Sequence, residues 1–170
     1  MPGAEPLFRV LFVCTGNTCR SPIAAAALAC ALGDRAGQVE VTSAGTAAID
    51  GAPASEGSRR VAARAGLDLS RHRSRHLDRG VLEGVDLVLL MDPRDLPQVR
   101  ALDPEAAEET YGLADFARPA PTGEAVPDPF GGSPEAYEEC LRRIEMHLER
   151  VVPYVTAALD QRALDAEKPS

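Results

Sequence analysis

Several things are absent from this 170-residue chain, and each absence removes a class of function. No apolar stretch is long enough to cross a membrane. The only early apolar run, residues 7–13, is short and interrupted by Arg9, whereas a span needs roughly 20 residues and a secretory h-region an unbroken apolar core. Basic residues are in the minority. Eighteen Lys and Arg face 26 Asp and Glu, a net charge of −8, while nucleic acids and anionic membranes are bound by clustered Lys and Arg. Cysteine is scarce as well: the four are Cys14, Cys19, Cys30 and Cys140, which reads as reduced thiols rather than a disulfide framework. No further Cys or His follows the first two at the spacing a metal site requires. The expectation is a cytoplasmic protein with no metal, cofactor, nucleic-acid or membrane partner.

What is present suits one domain, because 45% apolar residues in a chain of this length can fill one substantial core. Residues 1–6 read as a loose leader, 7–159 as the domain and 160–170 as a frayed polar tail. Apolar runs at 7–13 and 85–91 and the alternating segment 39–43 predict strands. Helices are expected over 21–32, 53–65 with Ser55 as a possible cap, 77–82, and from Ser133-Pro134-Glu135 onward. In the last of these Tyr137, Leu141, Ile144, Leu148, Val151 and Val155 recur at helical spacing, and Pro153 should kink it or end its regular part. The basic stretch 71–76 reads as a solvated loop, and residues 102–125 are acidic and then Pro-rich, with little legible structure. Strands alternating with helices predict a doubly wound α/β domain with right-handed crossovers and helices on both faces of a parallel sheet. Ligands of such sheets sit outside the carboxyl ends of the strands, where Cys14, Ser43 and Asp92 all fall.

The loop that follows the first strand carries the chemistry. In Val13-Cys14-Thr15-Gly16-Asn17-Thr18-Cys19-Arg20-Ser21-Pro22 a thiol and a guanidinium bracket five residues. Gly16 and Asn17 tolerate positive φ, which lets successive N–H groups turn inward as an anion nest. Ser21 as N-cap and Pro22 at the first helical position would aim a helix N-terminus into the same hollow. A phosphate held there meets the Arg20 fork, and the positive surroundings favour the Cys14 thiolate, so phosphoryl transfer through a phosphocysteine follows. The bland alternative makes Cys14 and Cys19 small buried residues in a turn. No Gly-Lys-Ser/Thr ending occurs, so this is not a nucleotide-type phosphate loop.

This loop, with Asp128-Pro129-Phe130 far downstream, resembles the low-molecular-weight protein tyrosine phosphatase family. The resemblance runs from about Leu7 to Val152 and implies a four-stranded sheet, with a short fourth strand near 111–116. It implies that Cys14 is the nucleophile, that Arg20 holds the phosphate with Thr15, Gly16, Asn17, Thr18, Cys19 and Ser21, and that Asp128 is the general acid. Without the resemblance, Asp128 would be an ordinary Asp-Pro turn. Ser43 and His72 are expected to hydrogen-bond to the loop, and Ser21 to donate to the thiolate. Cys19 is a candidate for a reversible disulfide with Cys14, or it simply packs; Cys30 and Cys140 are expected to be buried helix residues. Many relatives have Glu where this chain has Ala25.

The family's tyrosine-directed members usually carry an aliphatic residue at the position of Thr18, and many have two adjacent aromatics after the Asp-Pro. Here Thr18 and the sequence Phe130-Gly131-Gly132 look like the bacterial protein arginine phosphatases of the family. A short polar residue can accept a guanidinium that an aliphatic one excludes, with Ile49 and Phe130 as apolar walls. The implied partners are phosphorylated proteins, and the implied product is inorganic phosphate. A phosphotyrosine phosphatase is the alternative. Arsenate reductases share the loop but need a resolving pair of cysteines, and none lies between Cys30 and Cys140. A non-catalytic phosphate-binding module would be expected to have lost Cys14, Arg20 or Asp128.

Overall fold

The computed structural model describes residues 6–168. Residues 1–5 of the expected leader lie outside the described residues. Among the latter, four parallel strands form one sheet: β1 (Phe8–Cys14), β2 (Val39–Gly45), β3 (Leu87–Leu90) and β4 (Thr110–Gly112), in the order β2-β1-β3-β4. The chain leaves β1 first toward β2 and later returns to its other side for β3. The loop after β1 therefore sits where the strand order reverses, which is where open α/β sheets bind ligands.

Strand alternation divides the core in two. Val10, Phe12 and Cys14 of β1, with Leu87 and Leu89 of β3, face α1 (Arg20–Ala31), α2 (Glu56–Arg64) and α6 (Pro134–Ala166). Leu11, Val13, Val88 and Leu90 face the other way, against Leu82 of α3 (Arg79–Leu82) and Val99 of α4 (Leu96–Leu102). The short α5 (Pro104–Glu108) leads into β4. Both sides of β1 and β3 are covered, which is why these strands read as nearly continuous apolar runs. The six apolar positions picked out on the last helix are all buried.

Several boundaries differ from the sequence reading. α1 begins at Arg20 with Cys19 at the cap position, two residues earlier than Ser21-Pro22 suggests, because the Ser21 hydroxyl is held elsewhere. Ser55 does cap α2, accepting from the Ser58 N–H, and residues 53–54 precede the helix. β3 covers 87–90 rather than 85–91, and β4 spans Thr110–Gly112 before a 3-10 turn at Leu113–Asp115. α6 neither stops at Pro153 nor frays at Asp160. It continues to Ala166, tied down by Asp160 to Arg35 at 3.0 Å and by Arg162, which reaches Asp86 at 2.5 Å and lies 4.8 Å over the Phe8 ring. Cys30 is exposed, because it sits on the outer side of α1, whereas Cys140 is buried and burial pushes its thiol up to about 12. No helix among the described residues is long and apolar enough to cross a membrane.

The end of β2 lies hard against the loop after β1. Thr46 and Ala47 donate N–H groups to the carbonyls of Cys14 and Thr15, both at 2.9 Å. Gly45 makes this approach possible: a Cβ there would come within 2.5 Å of the Thr15 carbonyl oxygen and 2.9 Å of the Asn17 nitrogen. Both obstacles are backbone, so no side chain can swing aside. Gly45→Ala is expected to cost about 1–3 kcal/mol through forced backbone displacement, read as a lower midpoint in urea unfolding with an unchanged slope. An unchanged midpoint would show that the contact is not tight.

Candidate active site

The loop from Cys14 to Arg20 is shaped by Asn17, which is fully buried and has φ of +54°. Asn is among the few non-glycine residues that enter this region at modest cost. Gly16, the other expected position of positive φ, does not take it up. Every polar group of the Asn17 side chain has a partner. Its Oδ1 accepts from the Arg75 N–H at 2.8 Å, and its Nδ2 donates to Ser43 Oγ at 2.9 Å and Ser21 Oγ at 2.8 Å. Its carbonyl oxygen lies 2.7 Å from His72 Nε2, and since a carbonyl only accepts, that nitrogen carries the proton.

This network decides where the Ser21 proton goes. Ser21 Oγ accepts from Asn17, leaving its own hydrogen for Cys14 Sγ at 2.9 Å rather than the Ala44 carbonyl at 3.5 Å. The Asn17 N–H lies 3.3 Å from the same sulfur. Two donors thus converge on Cys14, an arrangement that stabilises a thiolate. The expected bonds of Ser43 and His72 to the loop are both present, each through Asn17.

At the loop's other end Arg20 is almost wholly buried, its side chain 6% exposed. Its Nη1 donates to the Val126 carbonyl at 3.1 Å, and its Nη2 lies 3.4 Å from Thr15 Oγ1 and 3.5 Å from Asp128 Oδ2. Its Nε is buried with no partner among the described residues. An unpartnered buried donor on a cation costs on the order of 1–3 kcal/mol, and an anion bound in the loop would satisfy it. No side chain caps α1 beside it, so backbone donors at the helix start are available to the same anion.

These groups open on one cavity of about 380 Å³, lined by Cys14, Thr15, Gly16, Thr18, Cys19 and Arg20 from the loop. Opposite stand Asp128, Phe130 and Ile49, the last two strongly exposed as walls at the mouth. The structure thus brings together Cys14, Thr15, Gly16, Thr18, Cys19, Arg20, Ile49, Asp128 and Phe130, and places Asn17, Ser21, Ser43 and His72 behind the loop. Asp128 Oδ1 accepts from the Phe130 N–H at 3.1 Å, fixing the turn that presents both.

Four contributors escape the sequence reading. Ser55 donates its N–H to the Thr18 carbonyl at 2.9 Å, and its Oγ lies 3.3 Å from Cys19 Sγ. The Tyr137 hydroxyl lies 3.7 Å from that sulfur. Ser74, inside the basic stretch, is buried, lines the cavity and bonds the Ile49 carbonyl. Gly45 is the fourth. The charged side chains of the 71–76 stretch are indeed exposed, but its backbone supports the loop through the Arg75 N–H and carbonyl. Only long-range packing carries these contacts, and the local sequence holds no signal for them beyond the capping serine.

Residues 9–165 match the family described as low molecular weight phosphotyrosine protein phosphatase. The chain is 36% identical over 144 residues to the protein-arginine-phosphatase of Geobacillus stearothermophilus, covering 85% of this chain and 93% of that one. It is 32% identical over 148 residues to the probable low molecular weight protein-tyrosine-phosphatase EpsP of Ralstonia nicotianae, covering 87% and 96%. The solved structure of the YwlE arginine phosphatase from Geobacillus stearothermophilus superposes with a TM-score of 0.79 at 33% identity, over 96% of this chain and 99% of that one.

Burial holds the His72 ring below its ordinary value, with Arg73 adding to the shift and the Asn17 bond opposing it. Burial also lowers His147, helped by the Arg150 guanidinium 3.1 Å from its Nδ1. An unfolded His takes up its proton near pH 6.5, before either folded ring does, so stability is full above that pH and falls as pH drops below it. Urea unfolding is expected to give a lower midpoint at pH 5.5 than at pH 7.5, with a smaller difference in His147→Gln. Equal midpoints would contradict neutral buried rings.

Proposed function

Since the chain belongs to the low molecular weight phosphotyrosine protein phosphatase family of cysteine-based protein phosphatases, we propose that it hydrolyses phosphorylated side chains of proteins through a phosphocysteine, with phosphoarginine as the preferred substrate. The observation that carries the anion site is the buried Arg20 Nε without a partner among the described residues, on a loop whose Cys14 lines the same cavity as Arg20 and takes two hydrogen bonds from behind.

A phosphoryl group in the loop places three oxygens against Arg20 and the backbone donors, with phosphorus above Cys14 Sγ. The thiolate attacks in line, forming the S–P bond as the bond to the leaving atom breaks, and Asp128 gives that atom its proton. Asp128, now a carboxylate, takes a proton from water as the water oxygen attacks phosphorus. The S–P bond breaks, the thiolate is restored under Ser21 and Asn17, and inorganic phosphate leaves. Negative charge on the transferring group is balanced by groups already in position, which is the main work in phosphoryl transfer.

Thr18 supports phosphoarginine. It lines the cavity, and its hydroxyl can accept from a guanidinium where an aliphatic side chain would leave those donors unpaired. Phe130 is followed by Gly131, so only one aromatic stands at the mouth on that side. Phosphotyrosine is the second reading, favoured by Ile49 and Phe130, which flank the entrance as two exposed apolar walls able to hold a phenyl ring.

Cys14→Ser is expected to abolish turnover while phosphate still binds, and substantial residual activity would rule out the phosphocysteine route. Asp128→Ala should lose on the order of 10²–10⁴-fold with poor leaving groups and much less with an activated aryl phosphate; equal losses would contradict the acid role. The substrate is decided by kcat/KM on one peptide carrying either phosphoarginine or phosphotyrosine. A preference for phosphoarginine that shrinks at least tenfold in Thr18→Ile is the expected result. A preference for phosphotyrosine in the unaltered protein would reduce Thr18 to a packing residue.

A further inference from the structure

A second groove, of about 340 Å³, lies between α2 and the first turn of α6, and the reaction makes no use of it. Its floor is apolar and made by Gly57, Val61, Pro134 and Tyr137. The floor depends on a missing side chain: a Cβ at Gly57 would come within 2.4 Å of the Tyr137 ring. The ring therefore packs directly on the first turn of α2.

The groove is adjacent to the substrate cavity. Phe130 walls the cavity, and the next residue, Gly131, lines the groove. A Cβ at Gly131 would meet nothing within 4 Å, so no atom crowds that edge of the groove. The two share a partition. Ser55 lines the groove while its N–H holds the Thr18 carbonyl, and Tyr137 forms the floor while its hydroxyl lies 3.7 Å from Cys19 Sγ. A polypeptide whose phosphorylated side chain enters the cavity and whose chain runs past Phe130 meets this groove next.

The rim is charged but self-neutralised. Arg60 pairs with Glu56 along α2, and Arg64 pairs with Glu138 across to α6 at 3.0 Å. From Glu56 to Arg64 the helix rises about 12 Å, the length of about three residues of extended peptide. An apolar floor with no free charge around it offers no compensation to a charged guest that gives up its water, and rewards an apolar one.

We propose that this groove is a specificity subsite which receives the residues beside the phosphorylated one in the protein substrate and prefers uncharged apolar side chains. The proposal rests on the reading of the neighbouring cavity as the phosphoryl site. The test uses phosphopeptides identical except for Leu, Asp or Lys at the flanking positions, with a small aryl phosphate that cannot reach the groove as the reference substrate. The Leu peptide is expected to be favoured about five- to tenfold in kcat/KM, mostly through KM. Glu138→Lys leaves two cations on one rim and should shift the preference to the Asp peptide; Arg60→Glu should shift it toward Lys. Both residues are exposed and outside the reaction, so turnover of the aryl phosphate should stay within about twofold. Equal kcat/KM for the three peptides, or the same ranking in both variants, would overturn the subsite. Failure of the unaltered protein to hydrolyse any of the phosphopeptides or the aryl phosphate would overturn the reading of the cavity, and the subsite with it.

Discussion

The bonds made by one buried amide hold the site in shape. Asn17 is turned to positive φ and stripped of water, so each of its polar groups must find a protein partner or cost about 1–3 kcal/mol. Its partners come from three separate parts of the chain: Ser21 at the start of α1, Ser43 of β2, and His72 and Arg75 of the segment beyond α2. The bonds are mutually exclusive in their use of protons. Both Nδ2 hydrogens are spent on the serines, so Ser21 has its own to give to Cys14. The sulfur's surroundings are thus fixed by a residue that touches it only through the backbone.

That network can form only because the sheet brings its members together. Parallel pairing sets Phe12 beside Ser43 and Cys14 beside Gly45, and Gly45 lets the loop lie on the end of β2 without a side chain between them. On the other side of β1, Met91 donates its N–H to the Val13 carbonyl and its own carbonyl accepts from Val126. This places the Val126 carbonyl under Arg20 and carries Asp128 to the mouth. The guanidinium is held in position by a backbone carbonyl, one hydroxyl and one carboxylate, and still keeps a donor in reserve.

Helix α6 connects the chemistry to the surface. Its apolar stripe completes the core over α1, and its first turn supplies Tyr137, which reaches Cys19 with its hydroxyl and closes the floor of the outer groove with its ring. α2 is fixed between them, its capping serine bonded to the loop and its Gly57 bared to the ring. Shape at the loop and shape at the groove therefore share the same pair of helices.

The strands at 7–13 and 39–43, the core side of the last helix and the grouping of a thiol and a guanidinium on the loop from Cys14 to Arg20 were legible in the amino-acid order, because each depends on neighbours in sequence: periodic apolar residues, a capping serine, and two side chains at the ends of one short loop. Asp128 was legible only through its resemblance to a known motif. Tertiary structure alone decided the rest. α1 starts at Arg20 because the Ser21 hydroxyl serves Asn17 and Cys14 instead of a cap, and α6 persists to Ala166 because Arg35, Asp86 and Phe8 hold its end. The roles of Gly45, Ser55, Ser74 and Tyr137 rest on contacts between segments distant in the chain. Periodicity and propensity report what a segment prefers; which backbone group lies 3 Å from which hydroxyl is set by packing.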